Sequence, residues 1–171
     1  MPRTKDNPVV ATVFPGNVVA EEGSLEAKKL YDLSTFGEPH EGHIQYSLVE
    51  AYFLFKNGKM LFRSPANRKL GEKKFLKDAI KQDPQFLVRY PVFRDLRERG
   101  YLVKTALKFG ADFRVYDRGV KPGEDHAKWI VFPVHEGSAM TWYDFASKNR
   151  VAHSTRKRLL IGIVDQEGDV T

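Results

Sequence analysis

The chain has 171 residues, 42% of them hydrophobic, and 28 basic against 22 acidic side chains give a formal net charge of +6. That length and composition suit one ordinary domain or two small ones and exclude a chain too polar and charged to fold. Cysteine is absent, which excludes disulfides, thiol nucleophiles and cysteine-ligated zinc and agrees with a reducing compartment.

Residues 9–13 and 17–20 are short β-branched runs separated by Pro15-Gly16, which predicts a hairpin at the start of a small sheet. Ser24 heads a short helical segment to about Asp32, and residues 37–43 read as a polar loop bounded by Gly37 and Gly42. Ser47 and Glu50 then form a capping box ahead of a helix whose apolar face is Leu48, Ala51, Tyr52 and Phe55, stopped by Asn57-Gly58. A strand is expected over residues 59–63 and a helix over 72–81 through Phe75, Leu76, Ala79 and Ile80, with Asp83-Pro84 breaking it. That break is the expected domain boundary.

Residues 85–99 are helical again, with Phe86, Tyr90, Phe93 and Leu96 on one side, Pro91 as a kink and Gly100 as the cap. From there the pattern has period two, and residues 101–105, 111–116 and 128–134 read as strands of one mixed sheet. Thr141 and Asp144 predict a capped helix to about Val151. Residues 158–164 read as a buried strand turning at Gln166-Glu167-Gly168 into Asp169-Val170-Thr171. The architecture expected is therefore α/β (α+β): a small N-terminal α/β domain, 1–84, followed by a C-terminal mixed-sheet domain, 85–171.

The charge excess is larger in the second half, which suits a polyanionic partner and is also common on ordinary surfaces. Cations and aromatics interleave along Lys104, Lys108, Phe109, Arg114 and Tyr116, and again along Trp142, Lys148, Arg150, Arg156, Lys157 and Arg158. Such residues can hold phosphates by charge and unpaired bases by stacking, or form a solvated basic face beside core aromatics. His40 and His43, flanked by Glu38 and Glu41, have no partner spacing that completes a metal set. His126 follows Gly123-Glu124-Asp125 in a loop between two strands, one of which ends at Tyr116. Loops on a rigid sheet are where chemistry concentrates, yet spacing alone leaves packing and catalysis both open. The longest apolar runs, such as residues 159–164, are far short of a membrane span, and Met1-Pro2-Arg3-Thr4-Lys5-Asp6 leads into no signal-type segment, so a cytoplasmic protein without a membrane partner is expected.

Several segments together resemble a known family, the archaeal tRNA-intron endonucleases. Tyr90, Phe93-Arg94-Asp95-Leu96 and Gly100-Tyr101-Leu102-Val103-Lys104-Thr105, continuing through Leu107-Lys108-Phe109-Gly110-Ala111-Asp112-Phe113-Arg114-Val115-Tyr116, look like that family's run from its central helix into a catalytic strand. Arg150-Val151-Ala152-His153-Ser154-Thr155-Arg156-Lys157-Arg158-Leu159 is similar to its lysine motif, and Asp125-His126 lies where it carries a histidine. The likeness is strongest from Tyr90 onward and is visible earlier in Ser47-Leu48-Val49-Glu50-Ala51.

The resemblance implies an endoribonuclease, a lyase in reaction type, that works on precursor tRNA folded as a bulge-helix-bulge. It implies attack by the RNA's own 2′-hydroxyl with neither metal nor cofactor, leaving a 2′,3′-cyclic phosphate and a 5′-hydroxyl. Tyr116 then matches the general base, His126 the general acid for the leaving 5′-oxygen, and Lys157 the cation facing the charge that grows on the phosphate. Histidine suits proton donation near neutral pH. A tyrosine base needs neighbouring cations, such as Lys157 or Arg114, to stabilise its phenolate. Arg150 matches an RNA-binding arginine that stacks its guanidinium on a bulged base; the second arginine of that clamp would fall beyond Thr171. Asp165, Glu167 and Asp169 match an acidic loop that enters a basic pocket of a neighbouring subunit, which implies a homotetramer or a heterotetramer with a non-catalytic relative.

Overall fold

The structure is a computed structural model that describes residues 7–120 and 123–171. The start Met1-Pro2-Arg3-Thr4-Lys5-Asp6, read above as carrying no signal segment, lies outside the described residues. Two compact units emerge, Met1–Phe86 and Leu87–Thr171, and among the described residues they contain five α-helices and mixed sheets, as the α/β reading expects.

In the first unit, Val9–Phe14 (β1) and Asn17–Ala20 (β2) form the predicted hairpin, in register Ala11↔Ala20. Leu25–Ser34 (α1) starts at Ser24, whose Oγ accepts a 3.2 Å bond from the Ala27 N–H. Leu48–Lys56 (α2) opens on the capping box read from the sequence: Ser47 Oγ accepts from the Glu50 N–H, and Glu50 accepts from the Ser47 N–H. Glu50 is buried, and it also accepts a 3.2 Å bond from the Gly37 N–H, so the cap ties the helix start to the preceding chain. Met60–Arg63 (β5) pairs parallel to β1, Lys69–Leu70 (β6) closes the edge, and Glu72–Gln82 (α3) covers the sheet. Its Phe75 stacks on Phe62 at 4.3 Å and on Tyr52 at 5.8 Å, giving this unit a continuous aromatic core.

The expected polar loop at 37–43 is instead a hairpin. Glu38–His40 (β3) and His43–Tyr46 (β4) pair antiparallel around Glu41 and Gly42, whose φ values of 43° and 88° make the two-residue turn whose twist suits paired strands. β3 is an exposed edge, so nothing apolar in it marks a strand. His40 and His43 close the hairpin opposite one another with rings stacked at 5.8 Å. Among the described residues no group of three or more His, Asp or Glu side chains is placed to hold a metal ion.

The second unit is a four-stranded mixed sheet in the order β10-β9-β8-β7, made of Leu102–Thr105 (β7), Phe113–Tyr116 (β8), Trp129–His135 (β9) and Arg158–Val164 (β10). A one-turn 3-10 helix, Leu107–Phe109, joins β7 to β8 where the sequence showed no separate element. Phe86–Glu98 (α4) runs through Pro91 and covers one face, where Phe93 meets Phe113 at 5.8 Å. The approach is close: a Cβ added at Gly162 of β10 would lie 2.9 Å from Val92 Cγ2. Trp142–Ser154 (α5) is the crossover between the parallel strands β9 and β10 and covers the other face, where Val151 packs with Ile130, Phe132, Leu159 and Ile161. Beyond β10 the chain turns back, and Val170 and Thr171 pair antiparallel with Val164 and Ile163. Among the described residues no helix is long and apolar enough to cross a membrane.

Candidate active site

Strand register decides what meets at one end of the second sheet. β8 and β9 pair Val115↔Trp129, and β9 and β10 pair Trp129↔Arg158. Tyr116 follows Val115, Lys128 precedes Trp129 and Lys157 precedes Arg158, so all three belong to the same end of the sheet. There the Lys128 N–H donates to Val115 O at 2.9 Å and the Arg158 N–H to Lys128 O at 2.8 Å. β9 lies between β8 and β10 and neighbouring strands are about 4.8 Å apart, so about 10 Å of sheet separates the strand that Tyr116 closes from the one that Lys157 leads into. Side chains alternate along a strand, and Ile130 and Leu159, two residues on from Lys128 and Lys157, pack on the α5 side. Tyr116 packs in a separate cluster with Leu102 and Ala127.

Each of the predicted residues arrives by a different route. Tyr116 is the last residue of β8, only 5% exposed and held between Leu102 and Ala127, so its ring has little freedom. His126 is exposed in the loop entering β9, two residues before Lys128, and its own N–H is held at 2.7 Å by Asp125 Oδ1. Lys157 is delivered by the end of α5. The Arg156 N–H donates to His153 O and the Lys157 N–H to Ala152 O, at 3.0 and 2.8 Å, which is the paired bonding of a Schellman cap. That cap needs a left-handed residue, and Arg156 supplies it at φ 55°, where glycine is the usual occupant.

Around His126 opens a cleft lined by Asp117, Asp125, Lys128, Arg156 and Arg158 among others. Asp117 pairs with Lys128, whereas Arg156 and Arg158 have no carboxylate partner among the described residues and stand exposed. The cleft thus offers free cations and a histidine at the rim of a rigid sheet, an arrangement suited to a phosphodiester. Asp117 and Lys128 were not singled out from the sequence; they belong here through register, which no local motif encodes.

Tyr116 and Lys157 are not among the residues that line this cleft, and the other predicted site residues lie away from it. Arg150 is exposed on α5, seven residues before Lys157. Arg114 shares Tyr116's face of β8, with its guanidinium 6.0 Å from the Phe109 ring and its Nε buried without a hydrogen bond. Asp165, Glu167 and Asp169 sit past the far end of β10, about 20 Å of strand from Lys157. There Asp165 Oδ1 accepts a 2.8 Å bond from the Asp169 N–H, the Arg94 guanidinium donates to Gly168 O at 3.1 Å, and Glu167 and Asp169 are exposed. The start of α5 repeats the capping-box logic: Thr141 Oγ1 donates to Asp144 Oδ2 at 2.6 Å, and that bond holds the Asp144 carboxyl below the ordinary carboxylate value.

Known proteins match this chain along nearly its whole length. The family model for the catalytic C-terminal domain of the tRNA intron endonucleases matches residues 86–171, and the model for their N-terminal domain matches residues 10–76. Similar curated proteins include the tRNA-splicing endonuclease of Nanoarchaeum equitans, 48% identical over 70% of this chain and 81% of that one. That of Thermococcus kodakarensis is 42% identical over 83% and 82%, and that of Pyrococcus furiosus 35% identical over 95% and 92%.

Proposed function

Because the chain belongs to the tRNA intron endonuclease family, we propose that it excises introns from precursor tRNA at bulge-helix-bulge motifs, through a metal-free attack of the RNA's own 2′-hydroxyl. Family membership makes it an endonuclease of tRNA splicing. The finer terms of the reading rest on the chemistry available at the sheet end.

In this reading Tyr116 accepts the proton of the 2′-hydroxyl as that oxygen attacks phosphorus, and His126 donates a proton to the departing 5′-oxygen. Lys157 faces the non-bridging oxygens as their charge grows, a role worth most in a site whose cations are fixed before the reaction starts. The P–O5′ bond breaks, the P–O2′ bond forms, and the products carry a 2′,3′-cyclic phosphate and a 5′-hydroxyl. Lys128, tied to Asp117, adds positive field to the cleft around His126. The observation that carries the reading is the end of the second sheet, where Tyr116 closes β8, Lys157 leads into β10 and His126 lies in the loop entering β9 beside the exposed Arg156 and Arg158.

Arg150 is proposed to hold a bulged base. Two bulges need two sites a fixed distance apart, so the working form is proposed to be a tetramer, made of like chains or including a non-catalytic relative. Asp165, Glu167 and Asp169 would enter a basic pocket of a neighbouring subunit, a contact that salt should weaken. The proposed setting is the cytoplasm.

The test is cleavage of a bulge-helix-bulge precursor tRNA in excess EDTA by wild type and by His126→Ala, with the new ends identified. Paired intron release with cyclic phosphate ends, lost in the variant, supports the reading. Cutting that returns only with magnesium overturns the mechanism, and an assembled wild type that binds this RNA without cutting it is a structural subunit.

A further inference from the structure

The basic and aromatic residues of α5 divide by face, and the proposed cleavage site gives no role to its two most exposed rings, Trp142 and Tyr143. Val151 and Ala152 turn toward the sheet, and Lys148 lies with its Nζ 4.8 Å over the Phe132 ring. On the opposite side, helical spacing lines up Trp142, Ala146 and Arg150, with Tyr143 and His153 beside them, and all five are exposed. Trp142 is 86% exposed and Tyr143 77%, values unusual for rings of this size in a folded domain. Trp142 is nonetheless not loose, since its ring rests edge-on against Phe145 at 6.2 Å and 89°.

What would cover two such rings is indicated by their neighbours. From Phe145 to Val164 the chain carries no carboxylate, while Lys148, Arg150, Arg156, Lys157 and Arg158 all fall within it. The one acid of α5, Asp144, is engaged in the helix cap. The exposed stripe pairs flat rings with cations and has no free carboxylate beside it, the combination that binds unpaired nucleotides by stacking and by charge.

We propose that the outer face of α5 is a second RNA-contacting surface, on which Trp142 and Tyr143 stack unpaired bases of the substrate. This inference rests on the reading of the chain as an RNA endonuclease and extends it to RNA outside the cleft. α5 is 13 residues long and Trp142 is its first, so at about 1.5 Å per residue the bases held here lie roughly 20 Å from the bond that is cut. The surface therefore governs affinity and leaves the chemical step alone.

The experiment measures binding of a precursor tRNA made uncleavable by 2′-deoxy substitution at its cut sites, together with single-turnover cleavage of the ordinary RNA at saturating protein. Trp142→Ala and Tyr143→Ala are each expected to weaken binding about tenfold, as loss of a base-stacking ring does. Trp142→Phe should stay near wild type, and the saturated cleavage rate should not move in any of them. Alanine variants that bind like wild type overturn the inference alone. Variants that fall apart into smaller species in sedimentation show the stripe to be a contact between subunits and also overturn it. A wild-type chain that does not bind this RNA overturns the functional reading itself.

Discussion

Two helices of the second unit end in the same hydrogen-bonded motif with different residues in its demanding position. At the end of α4 the Gly100 N–H donates to Arg97 O and the Tyr101 N–H to Leu96 O, both at 3.0 Å, with Gly100 at φ 88°. At the end of α5 the matching bonds run from Arg156 to His153 and from Lys157 to Ala152, with Arg156 at φ 55°. Glycine enters the left-handed region freely, whereas a residue with a Cβ meets its own carbonyl there at a cost of about 1–2 kcal/mol. The first cap follows the favourable choice and the second departs from it beside the proposed catalytic lysine. Strain of this kind collects where a side chain is needed for something other than stability, and here it leaves a guanidinium in the cleft.

The largest effect expected is on the residue that the strained cap delivers. Lys157→Ala should lower the single-turnover cleavage rate by about 10²–10³-fold while leaving the thermal midpoint close to wild type, because the cap uses only the backbone of Lys157. A large loss of stability would mean that the side chain serves packing. Next comes Gly100→Ala. A Cβ there meets nothing within 4 Å, so only the backbone conformation is penalised, and denaturant unfolding should show a loss of about 1–2 kcal/mol with cleavage by the remaining folded protein unchanged. The smallest effect has the opposite sign. Arg156→Gly should stabilise the protein by up to about 1 kcal/mol and at the same time slow cleavage at sub-saturating RNA by several-fold. If it slows nothing, the arginine is no part of the site and its strain has no functional counterpart.

The same two caps mark how far the sequence could be read. Gly100 after an amphipathic run announces a helix end, and the structure bears it out; Arg156 carries no such signal, because arginine has no preference for a left-handed backbone. Both capping boxes, Ser47 with Glu50 and Thr141 with Asp144, were legible since their chemistry is local. The β3–β4 hairpin was not, because Glu38, Pro39 and His40 on an exposed edge show no apolar alternation and only Glu41-Gly42 hints at the turn. At the candidate site Tyr116, His126 and Lys157 stood out through the resemblance of whole segments, while no periodicity could align them. Lys128 and Asp117 were missed since they enter the cleft through cross-strand register, a property of pairs of segments and invisible in either one.

The parallel pairing of β10 with β9, in register Trp129↔Arg158, has a further consequence for when this protein becomes dangerous to RNA. Tyr116 and His126 lie within one antiparallel meander that local contacts can assemble early, but Lys157 joins them only after α5 has crossed over and β10 has docked. Parallel pairings of this separation close late in folding, once the intervening loop entropy has been overcome. On the proposed assignment, an unfinished or misfolded chain lacks the cation that completes the site and is chemically mute, so competence to cut arrives together with the last strand of the sheet.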